Sequence, residues 1–403
     1  MTDWWFPTAF SSWRPGDGSE EDQALHRVLR SGQLTMAEEV RQFEIEFAAF
    51  HGRKYAIATN SGSSANLLAV SCLFHKHRSP LRRDDDEWRG RHAVTPALAW
   101  NTTYSPCVLN GLKLVLADVD ASWNAPANNP DWGYAAGCPR LIVICPILGN
   151  AAYGAEWAQV AKESGAYLIE DACESFGAVD PEGQRCGTRG LLSTFSFFYS
   201  HQISGIEGGC IVTDDEELAN LCRILRAHGW TRDVWHDPLG NPSRPPRFEL
   251  EYEFTHFGHN VRPLEMHAAV AREQLKKTAE FQAARWSNYV LFRNLVRNLP
   301  ITLPQLRGAP NPFSLHFTCE SEEVRRDLVA ALRANGIDCR PPTGGSLRLH
   351  RVGASYASQQ TPNADAIHRT GLFLGCAPFD ISDKIEKAAK VMRAVFDAKA
   401  RAA

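Results

Sequence analysis

The sequence predicts an α/β protein built on a large, mostly parallel sheet, and three observations carry that expectation. Short apolar runs recur at 55–59, 93–97, 114–117, 141–145, 167–169, 194–198 and 210–213. Several of them alternate with stretches of helical periodicity, the pattern of a sheet covered by helices. The chain is 403 residues long, which suits two lobes with a sizeable core. Its 44% hydrophobic and 22% charged residues are those of a folded globular protein rather than a disordered or fibrous one.

Taken in order, Met36, Val40, Phe43, Phe47 and Phe50 recur at steps of four and three, so the first folded segment reads as a helix with one buried face. A strand over 55–59 follows, then the turn Asn60-Ser61-Gly62-Ser63-Ser64 and an apolar helix over 65–74. The charged run 75–92 reads as a solvated loop. Between Trp230 and Phe257, Pro238, Pro242, Pro245 and Pro246 break regular structure, which predicts a long excursion. Beyond it come a strand over 314–319, a helix over 322–334 stopped by Asn335-Gly336, and a final helix near 383–398. The expected division is a large domain over 1–260, including the N-terminal helical segment, and a small α+β domain over 261–403.

Lys and Arg total 43 against 46 Asp and Glu, a formal net charge of -3, so no overall field favours a nucleic acid or an anionic membrane. No window approaches the roughly 20 apolar residues that span a bilayer. The eleven cysteines include no CxxC or CxC pair, and Met1 to Phe10 lacks a basic region followed by an apolar one. Reduced thiols in a cytoplasm are the expectation, with no metal site.

Gly62, Ser63 and Ser64 stand at a helix start, where free N–H groups and the helix dipole favour a phosphate; a serine that merely caps the helix is the plainer alternative. Asp171 follows the run Tyr167-Leu168-Ile169-Glu170, at the carboxyl end of a strand, where open α/β sheets bind ligands. Its carboxylate suits a protonated ring nitrogen, or caps the next segment. The stretch 193–213 joins an aromatic strand, Ser196, His201 and the turn Glu207-Gly208-Gly209, and that combination is far more specific than any one of its parts.

These stretches, with Ser31 to Met36, Leu225 to Gly229 and Gly258 to Pro263, resemble the DegT/DnrJ/EryC1/StrS family of vitamin-B6-dependent sugar aminotransferases and dehydratases over nearly the whole chain. The resemblance implies an aspartate aminotransferase-like fold. It also implies that Gly62, Ser63 and Ser196 hold the cofactor phosphate, that Trp100 stacks on the pyridine ring and that Asp171 pairs with the ring nitrogen. Asn260 then reaches the phosphate of the other subunit's cofactor, making a homodimer with its active site at the interface. Glu174 stands where many family aminotransferases have Gln near the cofactor's phenolic oxygen.

One departure decides the chemistry. Where the family's aminotransferases place the Schiff-base lysine this chain has His201, and no lysine occurs between Lys162 and Lys276. An imidazole makes no stable imine, but with an ordinary pKa of about 6.5 it can remove and return protons. The lysine-to-histidine members resemble nucleotide-sugar 3-dehydratases, which bind pyridoxal or pyridoxamine 5'-phosphate noncovalently. In that chemistry the cofactor amine condenses with a 4-keto-6-deoxy nucleotide sugar, His201 moves a proton, and the hydroxyl at carbon 3 leaves. His228 is a candidate to orient the sugar or protonate the leaving group, or is a turn histidine. Arg340 and Arg348 resemble the substrate side of the cleft and are candidate diphosphate contacts, or solvated arginines. Past His201 the cysteines are Cys210, Cys222, Cys319, Cys339 and Cys376, with none in the polar excursion; this favours the type that uses L-glutamate as amino donor and no iron-sulfur cluster. Transfer of the amine to a sugar ketone, or cofactor binding without catalysis, are the rival expectations.

Overall fold

A computed structural model describes residues 4–76, 91–128, 139–234 and 252–402. Most of the predicted charged loop and of the Pro-rich excursion lies outside the described residues. The helices are α1 (Glu20–Ser31), α2 (Glu38–His51), α3 (Gly62–Lys76), α4 (Asn101–Leu109), α5 (Gly154–Ser164), α6 (Glu216–Arg226), α7 (Glu265–Lys276), α8 (Thr278–Val296), α9 (Glu322–Ala334), α10 (Pro362–Thr370) and α11 (Ser382–Ala402). The strands are β1 (Tyr55–Thr59), β2 (His92–Pro96), β3 (Lys113–Ala117), β4 (Leu141–Ile144), β5 (Tyr167–Asp171), β6 (Leu192–Ser196), β7 (Gly209–Thr213), β8 (Ile301–Thr302), β9 (Ser314–Cys319) and β10 (Gly371–Gly375).

Strands β1 to β7 form one sheet in the order β1-β7-β6-β5-β4-β2-β3. Only β7 runs antiparallel to its neighbours, so the expected mostly parallel sheet is present. Every residue of β4 is buried, as a strand covered by helices on both faces must be. Because β1, β2, β4, β5 and β6 share one direction, Thr59, Pro96, Ile144, Asp171 and Ser196 all end at the same edge. That carboxyl edge is where an open α/β sheet collects a ligand site.

A second, antiparallel sheet, β10-β9-β8, packs with α8, α9 and α11 around Tyr289, Phe292, Phe317, Leu328 and Met392. Two observations bear on the expected boundary at residue 260. Phe6 and Phe10, at the start of the chain, pack into this C-terminal core, and Phe6 bridges Ile337. Ala268 and Ala271 of α7 pack instead beside Phe43 and Phe47 under the large sheet. Burial of apolar side chains thus carries the start of the chain and α7 across residue 260 in opposite senses.

The structure corrects two details of the expected elements. The first helix is α1, not the segment at Met36: Ser19 caps it by accepting from Asp22 N at 3.3 Å, three acidic residues follow, and Gly32 closes it at φ 69°. The aromatic strand spans Leu192–Ser196 rather than 194–198, since the ladder with β7 ends at Ser196 opposite Gly209. Phe197 then turns into a cluster with Phe43 and Phe47. Helix α2 holds Val40, Phe43 and Phe47 in the core as expected. Its first turn has no side-chain cap of its own. The carboxylate of Glu265 accepts from the N–H groups of Ala37, Glu39 and Val40 at 2.7–3.1 Å instead.

Candidate active site

A cavity of about 630 Å³ opens at the carboxyl edge of the large sheet, and Gly62, Ser63, Trp100, Asp171, Glu174, Ser196, His201 and Arg340 all line it. These residues come from separate stretches of the chain, and the topology alone brings them together.

Gly62 opens α3 against the end of β6, where a β-carbon would sit 2.4 Å from Ser196 Cβ and 3.0 Å from Cys173 Sγ. Only glycine lets the helix start approach the strand this closely. The positive end of the α3 dipole and the Ser196 hydroxyl therefore face one small volume, the cradle a phosphate needs. Ser63 Oγ donates to Thr102 Oγ1 at 3.2 Å.

Asp171 is buried at the end of β5, and its oxygens are treated unequally. Oδ2 accepts from Asn66 Nδ2 at 2.7 Å and from Thr103 Oγ1 at 2.8 Å; Oδ1 has a longer contact of 3.3 Å from Cys173 N. Thr194 Oγ1 donates to Asn66 Oδ1 at 2.5 Å and thereby fixes the amide's orientation. One carboxylate oxygen is pinned, and the other retains acceptor capacity toward the cavity. Trp100, at the N-cap of α4, is 57% exposed, a large indole surface left without cover within this chain.

His201 is held from behind. Arg285 Nη2 donates to its carbonyl at 3.1 Å, and Phe313 meets its ring edge-on with centroids 5.0 Å apart. Burial pushes its imidazole down to about 4, opposed by backbone groups of Ser196 and Cys173, so the ring is neutral at pH 7. Its Nδ1 is buried without a hydrogen-bond partner among the described residues. That nitrogen is shut off from solvent, so the ring meets the cavity with its other atoms. Burial also raises the Glu174 carboxyl; Thr343 and Leu148 donate to it and Asp171 adds repulsion.

His228 and Arg348 do not reach this cavity. His228 is exposed, in a left-handed turn at φ 68°, and its N–H donates to His259 O at 2.6 Å. The neighbouring ladder pairs Ala227 with Asn260, which is also exposed, so both candidates share a surface away from this chain's own cavity. Arg348 is committed elsewhere: Nε donates to Asp365 Oδ2 at 2.7 Å, and Nη1 donates to the carbonyls of Ala357 and Gln359. A guanidinium locked to a buried aspartate is a brace within the fold, and the expectation of a diphosphate contact at Arg348 is corrected. Arg340 stays at the cavity rim with its side chain 62% exposed and Asp338 3.5 Å from its Nε.

Sequence reasoning missed Asn66, Thr103, Arg285 and Thr343. Asn66 lies in the helix that follows the 60–64 turn, and its position four residues after Gly62, one helical turn on, was the available signal. The others have none, because only tertiary folding sets them beside Asp171, His201 and Glu174.

The large mixed sheet, the antiparallel second sheet and the cavity between helix start and strand ends define a protein of the aminotransferase-like α/β class. The DegT/DnrJ/EryC1/StrS aminotransferase family matches residues 15–395, and the chain belongs to that family. The GDP-4-keto-6-deoxy-D-mannose 3-dehydratase of Yersinia pseudotuberculosis is 34% identical over 397 residues, covering 96% of this chain and 98% of the relative. The solved E. coli GDP-4-keto-6-deoxy-D-mannose-3-dehydratase with bound hydrated PLP aligns at a TM-score of 0.86 and 33% identity, over 96% of this chain and 99% of that one. A GDP-4-keto-6-deoxymannose-3-dehydratase with a trapped PLP-glutamate geminal diamine aligns at 0.85 and 32% identity, over 96% and 100% of the two chains.

Proposed function

We propose that this protein is a vitamin-B6-dependent lyase that removes the 3-hydroxyl of a 4-keto-6-deoxy nucleotide sugar, with L-glutamate as amino donor. The observation that carries the reading is the imidazole of His201, neutral at pH 7, in the wall of the cavity that also presents Asp171, Ser196 and Gly62. The relatives reported above act on such a sugar, and one of them holds PLP together with glutamate.

The residues present fit pyridoxal or pyridoxamine 5'-phosphate. The Gly62 and Ser196 cradle has no room for a β-carbon, Asp171 Oδ1 retains acceptor capacity, and the His201 ring lines the same cavity. When bound, the cofactor supplies an amine for the sugar ketone and an electron-accepting ring. Gly62, Ser63 and Ser196 hold its phosphate through helix-start N–H groups and a hydroxyl. Trp100 covers a ring face, and Asp171 keeps the ring nitrogen protonated. His201 takes a proton at a ring nitrogen and returns one, which its neutral state at pH 7 permits. Glu174 stands near the cofactor's phenolic oxygen, and Arg340 meets the charged end of the substrate.

The reading includes a noncovalently held cofactor, a homodimer in which Asn260 and His228 serve the partner's site, a large cofactor-binding lobe with a smaller C-terminal one, and a cytoplasmic setting. No helix among the described residues is long and apolar enough to cross a membrane. The ten cysteines among the described residues are all free thiols.

The deciding experiment incubates the protein with pyridoxal phosphate, glutamate and 4-keto-6-deoxy sugars on guanosine, cytidine and thymidine diphosphate. Mass spectrometry is expected to show loss of one oxygen from one of these sugars. Sugars unchanged on all three carriers, or a product that keeps its 3-oxygen and gains nitrogen, overturn the reading.

A further inference from the structure

Two residues other than glycine beside the cavity adopt positive φ: Leu148 at 53° and Thr343 at 26°. A branched side chain in that region is strained by about 1–3 kcal/mol, and such strain persists only where surrounding structure imposes it. Both residues donate to the same carboxyl group. Thr343 Oγ1 donates to Glu174 Oε1 at 2.6 Å, and Leu148 N donates to Glu174 Oε2 at 3.1 Å. Gln202 Nε2 donates to the Glu174 carbonyl at 2.5 Å, fixing its backbone as well.

The turn that carries Thr343 has little freedom. A β-carbon on Gly344 would sit 2.1 Å from Ala99 O, beside Trp100, and one on Gly345 would sit 2.3 Å from His368 Nδ1. His350 Nε2 donates to Gly344 O at 2.6 Å, and Ser346 N donates to His368 Nδ1 at 3.2 Å. The C-terminal half of the chain thus presses this turn against the wall that bears Trp100, and the Thr343 hydroxyl is the donor it delivers into the cavity.

We propose that Thr343 is a positioning residue for the reaction read above: its hydroxyl holds the Glu174 carboxyl in the orientation that faces the cofactor. This inference rests on the cofactor-binding reading of the cavity. Without the hydroxyl, Glu174 Oε1 loses its donor in a desolvated wall near Asp171, since Leu148 N serves only Oε2, and the carboxyl turns away or takes up a proton.

The test compares Thr343→Val, which keeps the shape and removes the hydroxyl, with Thr343→Ser, which keeps the hydroxyl. Each protein is titrated with pyridoxal phosphate, its bound-cofactor absorbance is followed across pH, and kcat and KM are measured on the active sugar. For Thr343→Val the expected result is a loss in kcat of about tenfold with KM nearly unchanged, and a shift of about half a unit or more in the pH at which the absorbance changes. Thr343→Ser is expected to stay close to wild type in both. In a Glu174→Gln background, Thr343→Val is expected to add little further effect. An unchanged absorbance profile in Thr343→Val overturns the proposal, as does a Ser variant as impaired as the Val variant. Because the absorbance titration needs no sugar, it decides the role of Thr343 even if the dehydration reading fails. Should Thr343→Val not fold, the comparison of Thr343→Ser in the wild-type and Glu174→Gln backgrounds reads the same coupling: a Ser variant far from wild type in either measurement counts against it.

Discussion

Gly62 and Ser196 meet at the end of the cavity where α3 begins, so close that a methyl group on Gly62 would lie 2.4 Å from the serine β-carbon. Contacts that short force a shift of helix or strand, at a cost of about 1–3 kcal/mol. Gly62→Ala is therefore expected to weaken pyridoxal phosphate binding at least tenfold while leaving most of the fold intact. Cofactor fluorescence titration beside a thermal melt checks it; unaltered affinity would mean that the cradle is not at Gly62.

His201→Lys places a primary amine in the same wall, behind which Arg285 and Phe313 fix the backbone and the ring. The variant is expected to form a covalent, borohydride-reducible adduct with pyridoxal phosphate and to lose dehydration. The wild-type chain is expected to give no such adduct. Mass spectrometry after borohydride reduction reads both, and a reducible adduct in the wild-type protein contradicts the role given to His201.

Arg340 and Arg348 separate binding from stability. Arg348 braces Asp365, whose side chain is only 6% exposed, so Arg348→Ala leaves a buried carboxylate without its ion pair. The expected cost is about 3 kcal/mol in unfolding free energy, with KM for the nucleotide sugar little changed in the protein that remains folded. Arg340→Ala is expected to do the reverse, raising KM about tenfold with a melting temperature near wild type. Urea denaturation and initial-rate kinetics on both variants distinguish the two roles; a large KM effect at Arg348 would restore it to the cleft.

The sheet and the motif-borne wall were legible in the sequence because both are local. Apolar runs mark strands, a small-residue turn marks the start of α3, and Asp171 ends its own strand. The legibility fails where partners come from far along the chain. Thr103 reaches Asp171 across 68 positions and Thr343 reaches Glu174 across 169, and a lone threonine carries no sign of either. Arg348 shows the opposite error: an arginine near a Gly-Gly turn invites an anion, but Asp365 and two carbonyls had already claimed it. Phe6 and Phe10 were unreadable as parts of the C-terminal core for the same reason, since their periodicity says nothing about which sheet they cover.

Buried histidines give the last prediction, on acid stability. Burial pushes His51 down to about 3 and His316 to about 4, in addition to His201 at about 4. Well above pH 6.5 these groups are neutral whether the chain is folded or not, and they contribute no pH dependence. Between 6.5 and 4 the unfolded chain binds protons that the folded chain refuses, so stability falls as pH drops, by about 1.4 kcal/mol per unit for each histidine. Glu170 and Glu174, raised by burial, act in the opposite sense at the lower end of this window. His51 is the cleanest to isolate, because its ring sits among Phe47, Phe50, Phe176 and Phe195. His51→Phe is expected to flatten the average slope of unfolding free energy between pH 6.5 and 5 by about 1.1 kcal/mol per unit. Urea denaturation of the cofactor-free protein at pH 7.5, 6.5, 5.75 and 5 measures that slope. An unchanged slope in His51→Phe would mean that this imidazole is already protonated in the folded state, which its aromatic surroundings should forbid.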